Sequence, residues 1–257
     1  HGAQVTPRTW PPQPGRSRRI MRVPVLLTRP TDQSRRFCEA VRQRLGRDWP
    51  IVVSPLTRLV FLDPAVDLAG IAGLVFTSET AVAAFLRLSG RRDLRVWAVG
   101  PRTAEAAAAA GFQTCTGPGN AAGLADLLRA GPPAGKLLHV RGTESAFPLA
   151  ETLNSAGTDT VQLVAYDQPP VPLSDEARTL LSGSGPVLVP LFSPRAAGLL
   201  RKAMTNGHAP LRVAAISDAV ASAAQGLAAD ALVVARTPDS PGMLDALSFL
   251  ADPAYRA

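Results

Sequence analysis

One design occurs twice in this chain, and the repeat constrains the fold more than any other feature. In the first copy, the apolar run Leu74–Phe76 passes through Thr77 and Ser78 into a helix-type pattern over Glu79–Leu86. In the second, Val189–Phe192 passes through Ser193 and Pro194 into Arg195–Leu200. Each copy is followed by Leu-Arg-Val, a short apolar strand, a small-residue turn and an alanine-rich helix, over 94–110 and 211–224. Continuous apolar strands alternating with helices predict parallel sheets covered by helices on both faces. The hydroxyl-bearing turns then fall at the C-terminal ends of the strands, the edge where such sheets hold ligands.

The alternation begins with Val23–Thr28, a buried-type strand ended by Arg29-Pro30. Thr31 or Asp32 is placed to cap the helix that carries Phe37, Val41 and Leu45 on one face. Two extended stretches interrupt the rhythm. Residues 54–62 follow the strand Ile51–Val53 with no helix between, and residues 161–170 end on Pro169-Pro170. They read as paired linker strands, one leaving a first domain and one returning to it. The expected organisation is an outer α/β domain from 21–53 plus 171–257 and an inserted α/β domain over 63–160. Each would be a three-layer, flavodoxin-like unit, and each would contain one copy of the repeat.

At 257 residues the chain is long enough for two modest cores. No apolar run reaches the roughly 20 residues of a membrane helix, and the first 22 residues lack a signal-peptide core. The net charge of +7 raises the question of nucleic acid. Four arginines precede Met21 with no acid among them, so the chain without residues 1–20 carries only +3. That Pro- and Arg-rich stretch reads as a disordered extension or as an upstream stretch included by start-site choice. The body is only mildly basic, which suits an acidic small molecule and requires neither nucleic acid nor membrane. Cys38 and Cys115 read as reduced, small apolar residues of a cytoplasmic protein. His139 and His208 are the only histidines after His1, too few for a His-based metal site.

The candidate groups are dispersed. Gly117, Gly119 and Gly123 follow a strand and open a helix, but their spacing is one residue too long for a dinucleotide fingerprint and Pro118 sits in the turn. Capping glycines are the better account. Thr77, Ser78, Ser193 and Ser217 stand where strands hand over to helices, and each is a capping residue or an anion donor. Gly100 and Thr103 flank the start of the helix after Val96–Val99. Arg141, Gly142 and Arg195 lie at strand-end turns, where an arginine fork suits a carboxylate. Arg29 has a similar placement with fewer supporting features. Tyr166 is the polar aromatic of the returning linker, either packing or facing a ligand. No triad, metal cluster or carboxylate pair has a recognisable spacing.

Leu27–Pro30, Val75–Ser78, Val99-Gly100, Leu138–Gly142, Ala165-Tyr166, Phe192–Pro194 and Ala215–Ser217 occur in that order, and the set resembles the uroporphyrinogen-III synthase family over about residues 21–250. The resemblance implies two α/β domains joined by a two-stranded ladder, with the active site between them. It implies cofactor-free, metal-free cyclisation of hydroxymethylbilane to uroporphyrinogen III, in haem biosynthesis. Water leaves from the hydroxymethyl group, and the resulting azafulvene is attacked at the substituted carbon of the terminal pyrrole. The spiro intermediate then reopens and closes with that ring inverted. The substrate carries eight carboxylates and supplies its own reactivity, so the protein works mainly by orientation. Tyr166 is the expected catalytic group; Thr77, Ser78, Gly100, Thr103, Arg141, Gly142, Ser193, Arg195 and Ser217 are the expected substrate-binding set. A cytoplasmic monomer receiving its substrate from hydroxymethylbilane synthase is the implied setting. The alternative is a two-domain binding protein that holds a small anionic ligand without catalysis.

Overall fold

The computed structural model describes residues 22–204, 209–227 and 229–252. The extension expected over 1–20 lies outside them, as does His208. The chain divides into two compact units. One runs up to Ser54 and resumes at Ser174; the other is Pro55–Leu173.

The first unit opens with β1 (Val25–Leu27), α1 (Thr31–Leu45) and β2 (Ile51–Val53). The second contains β3 (Val60–Phe61), β4 (Ile71–Phe76), α2 (Glu79–Leu88), β5 (Arg95–Ala98) and α3 (Pro101–Ala109). It continues through β6 (Thr114–Thr116), α4 (Ala121–Ala130), β7 (Lys136–Gly142), α5 (Leu149–Ser155) and β8 (Thr160–Asp167). The first unit is completed by α6 (Asp175–Leu181), β9 (Val187–Leu191), α7 (Pro194–Ala203), β10 (Leu211–Ala215), α8 (Asp218–Ala223), β11 (Ala229–Val234) and α9 (Ser240–Ala251).

The first unit's sheet has the order β2-β1-β9-β10-β11 and is parallel throughout. Counted along the unit, that is the 2-1-3-4-5 order of flavodoxin-like sheets. Phe37 and Val41 of α1, with Met243, Leu247 and Leu250 of α9, pack on Val25, Leu27 and Leu188. Each such apolar side chain removed from water contributes about 2 kcal/mol. The alternate side chains Val187, Val189 and Leu191 are equally buried, which is why β9 reads as a continuous apolar run. The cap of α1 differs from expectation. Pro30 occupies the N-cap position with no side-chain bond, so neither Thr31 nor Asp32 caps the helix. Proline's fixed φ sets the entry, and the Ser34 hydroxyl donates to the Arg29 carbonyl.

In the second unit the sheet order is β3-β8-β7-β4-β5-β6. All neighbours are parallel except β3, which runs antiparallel to the end of β8. The Arg58 N–H donates to Pro169 O and the Val171 N–H to Leu56 O, which extends that pairing into the segments read as linkers. β8 also pairs along its length with β7, so most of 161–170 belongs to this sheet. Helices α2 and α3 cover the face that carries Leu74, Phe76, Val96 and Val140, where the rings of Phe76, Phe85 and Phe112 lie 5.8–6.2 Å apart. Leu124 and Leu128 of α4 and Leu149 and Leu153 of α5 pack on Val75, Trp97 and Leu137 of the other face.

Candidate active site

The helices that follow β4 and β5 lie on one face of the second unit's sheet, and those that follow β6 and β7 lie on the other. The switch falls between β4 and β7, and such a reversal opens a crevice at the strands' C-terminal ends. Three expected site residues meet there. Ser78 follows β4, Gly142 ends β7, and Tyr166 sits near the end of β8. Gly142 is paired with Tyr166 just after a register shift between Arg141 and Gly142. The tyrosine ring lies across the glycine: a Cβ on Gly142 would stand 2.5 Å from Tyr166 Cε2 and 2.9 Å from Cζ. The Thr143 N–H donates to the Tyr166 carbonyl at 2.9 Å and fixes the backbone. The phenolic oxygen is 3.1 Å from Ser78 Oγ, so two hydroxyls 88 residues apart in sequence touch. Ser78 also caps α2, accepting the Ala81 N–H at 3.0 Å. The Tyr166 side chain is 9% exposed and belongs to the core cluster under α2.

Arg141 is tied to its own unit. Its Nε donates to Gly142 O, one Nη to Thr143 O, and the other to Gln162 Oε1, at 2.9, 2.6 and 2.6 Å. Gln162 in turn donates to Glu151. The guanidinium therefore braces the bulge that seats Tyr166, with two of its five N–H groups outside those bonds. Two residues back, His139 is buried on the opposite side of β7 from Val140, and neither ring nitrogen has a hydrogen-bond partner. Burial, reinforced by the Arg141 charge and opposed by Glu151, lowers its pKa to about 4.

Thr77 is half-buried at the end of β4 while Ser78 takes the cap. Gly100 is the N-cap of α3, where a Cβ would stand 2.9 Å from Gly119 Cα. The glycine-rich loop is thus shaped by packing. Gly117 and Gly119 donate to the carbonyls of Ala98 and Val99, Gly119 has φ +101°, and Asn120 caps α4. Thr103 lies on the buried face of α3.

The remaining expected residues belong to the first unit, at the C-terminal ends of β9 and β10. Ser193 caps α7 through the Ala196 N–H at 3.1 Å, and Arg195 is half-buried in that helix's first turn. Ser217 occupies the N-cap position of α8 without a side-chain cap bond, so the capping expected of it is not made. This sheet reverses between β1 and β9. There the Arg29 guanidinium stacks 3.9 Å from the Phe192 ring centroid and donates to Gln33, while Thr28 Oγ1 is buried without a partner. Phe192 and Thr28 belong to motifs that carry the resemblance but were not among the expected site residues, and their strand-end position was the further signal. Cys38 is buried and Cys115 is partly exposed, both as free thiols. Among the described residues, no group of three or more His, Cys, Asp or Glu could hold a metal ion, and no helix is long and apolar enough to cross a membrane.

A family model described as uroporphyrinogen-III synthase HemD matches residues 16–245. Among solved structures, the uroporphyrinogen-III synthetase of Helicobacter pylori 26695 is similar with a TM-score of 0.64 at 18% identity, covering 89% of this chain and 100% of that one. A mutant uroporphyrinogen III synthase of the extremely thermophilic bacterium Thermus thermophilus is similar with a TM-score of 0.54 at 17% identity, covering 89% and 98%. At such identities the two structures speak for the fold. No curated protein matches the chain.

Proposed function

This chain belongs to the uroporphyrinogen-III synthase family, and we propose that Tyr166 is the group that assists departure of the substrate's hydroxyl. The enzyme is a cyclising lyase of tetrapyrrole biosynthesis. It closes hydroxymethylbilane to uroporphyrinogen III with inversion of the terminal pyrrole and loss of water. The observation that carries the role of Tyr166 is its seat: a phenol held on Gly142 at the switch point, with its oxygen 3.1 Å from Ser78 Oγ. A proton donor there converts the departing hydroxide into water, and the electron-rich pyrrole supplies the electrons that break the bond.

The carboxylates need donors, not chemistry. Thr77, Gly100, Thr103, Gly142 and the remaining N–H groups of Arg141 supply them in one unit. Ser193, Arg195 and Ser217 supply them in the other, with backbone amides at the helix starts. Rate and ring inversion then follow from holding the bilane in one geometry. In this proposal the enzyme acts as a cytoplasmic monomer, in keeping with its free thiols, and takes its unstable substrate directly from hydroxymethylbilane synthase.

The test is a coupled assay that generates hydroxymethylbilane in place and separates type III from type I product. Tyr166→Phe removes one oxygen and is expected to lower turnover on the order of 100-fold, with the melting temperature little changed. Unchanged turnover would make Tyr166 a packing residue.

A further inference from the structure

We infer that Ser78 is a positioning residue: its hydroxyl donates to the Tyr166 oxygen and so leaves the phenolic proton directed at the substrate. This rests on the catalytic role proposed for Tyr166.

The 3.1 Å distance fits either direction, and two contacts favour donation by Ser78. Ser78 Oγ accepts the Ala81 N–H at 3.0 Å, which fixes the serine rotamer and uses one lone pair. Its single proton then has Tyr166 Oη, 3.1 Å away, as the acceptor at hand. Donation the other way would aim the phenolic proton at Ser78 and leave the serine proton without a use in this pair. The ring itself has little freedom, because it packs against Gly142 with Cε2 at 2.5 Å from where a Cβ would be. The remaining variable is the O–H torsion. A phenolic O–H prefers the ring plane, with two settings; a serine donor occupies one direction and the proton takes the other.

The proton balance is simple. As the substrate's C–O bond breaks, its electron pair stays with oxygen, which takes the Tyr166 proton and leaves as water. The pyrrole nitrogen's pair fills the deficiency at carbon, giving the protonated azafulvene. The Ser78 proton stays on serine and now donates to a phenolate, a stronger hydrogen bond than the one it made to the phenol. The phenolate regains a proton when the closing pyrrole carbon loses its own.

The test is a double-mutant cycle in the coupled assay. Ser78→Ala is expected to lower kcat roughly tenfold with KM within about twofold, since the group acts on the transition state through Tyr166. Ser78→Thr should restore kcat to within about twofold. Ser78→Gly, which keeps an acceptable helix cap, should match Ser78→Ala and guards against a folding effect. In a Tyr166→Phe background, Ser78→Ala should change kcat less than about twofold. A full Ser78 effect in that background, or one expressed in KM, overturns the inference and makes Ser78 a substrate ligand. Unchanged kcat in Tyr166→Phe alone overturns the Tyr166 role, and the inference falls with it. A second readout needs no substrate. With Tyr255→Phe, Tyr166 is the only tyrosine of the chain, and its Raman Fermi doublet reports whether the phenol donates or accepts. An acceptor signature lost in Ser78→Ala is expected; a donor signature in the parent overturns the inference.

Discussion

His139 makes the protein acid-sensitive in a way one substitution removes. The imidazole is 1% exposed and neither nitrogen is hydrogen-bonded, so charging it inside the core is unfavourable. Its pKa falls from 6.5 to about 4, chiefly through burial and then through Arg141, against the opposing pull of Glu151. The unfolded chain binds this proton near its ordinary value of 6.5, whereas the folded chain resists it. Stability is therefore unaffected above that value, declines as pH falls through the interval, and levels off below about 4. At about 1.4 kcal/mol per unit, the interval amounts to about 3 kcal/mol. His139→Leu keeps the volume apolar and removes the titration. Urea denaturation at pH 7 and pH 4 measures the difference, followed by Trp97 fluorescence with Trp10 and Trp49 replaced by Phe. Trp97 packs in the core formed by Leu137, Leu149 and Leu153. The parent should lose about 3 kcal/mol more than His139→Leu between the two pH values. Glu151 and Asp93, whose pKa values are also lowered, destabilise both proteins on acidification and largely cancel. Parallel losses in the two proteins would refute the reasoning.

Gly142→Ala drives a methyl group into the Tyr166 ring, so it should cost about 1–3 kcal/mol and lower kcat more than it raises KM; wild-type kinetics would show that the ring's seat is not functional. Ser193→Ala should destabilise the first unit by about 1 kcal/mol by removing a cap, while Ser217→Ala, which breaks no cap bond, should leave its melting temperature nearly unchanged. Arg141→Ala removes donors to three oxygens of its own unit and should cost about 1 kcal/mol in urea. It should also raise the type I fraction of the product, as the bulge beneath Tyr166 relaxes. A stable variant with wild-type product ratio would count against the brace.

The α/β class was legible from sequence because its signals are local. Val187–Leu191 is apolar at every position since helices cover both faces of its sheet, and Ser78 and Ser193 announce helix starts because a hydroxyl oxygen there accepts an N–H two or three residues on. The ordered motifs placed Tyr166 within a family. What the sequence could not express is adjacency. Nothing local to 161–170 says that β8 lies along β7, because strand pairing is set by which apolar faces bury together. Nor does Gly142 announce that its missing side chain is the space a tyrosine ring fills. His139, Arg141 and Gly142 are neighbours in a seven-residue strand, yet one is a desolvated base, one a brace and one a seat. The sequence determined the elements and their hydroxyl-bearing turns. Only the tertiary structure, by reversing the winding of the sheet between β4 and β7, brought Ser78 to Tyr166, because a hydrogen bond between residues 88 apart depends on strand order.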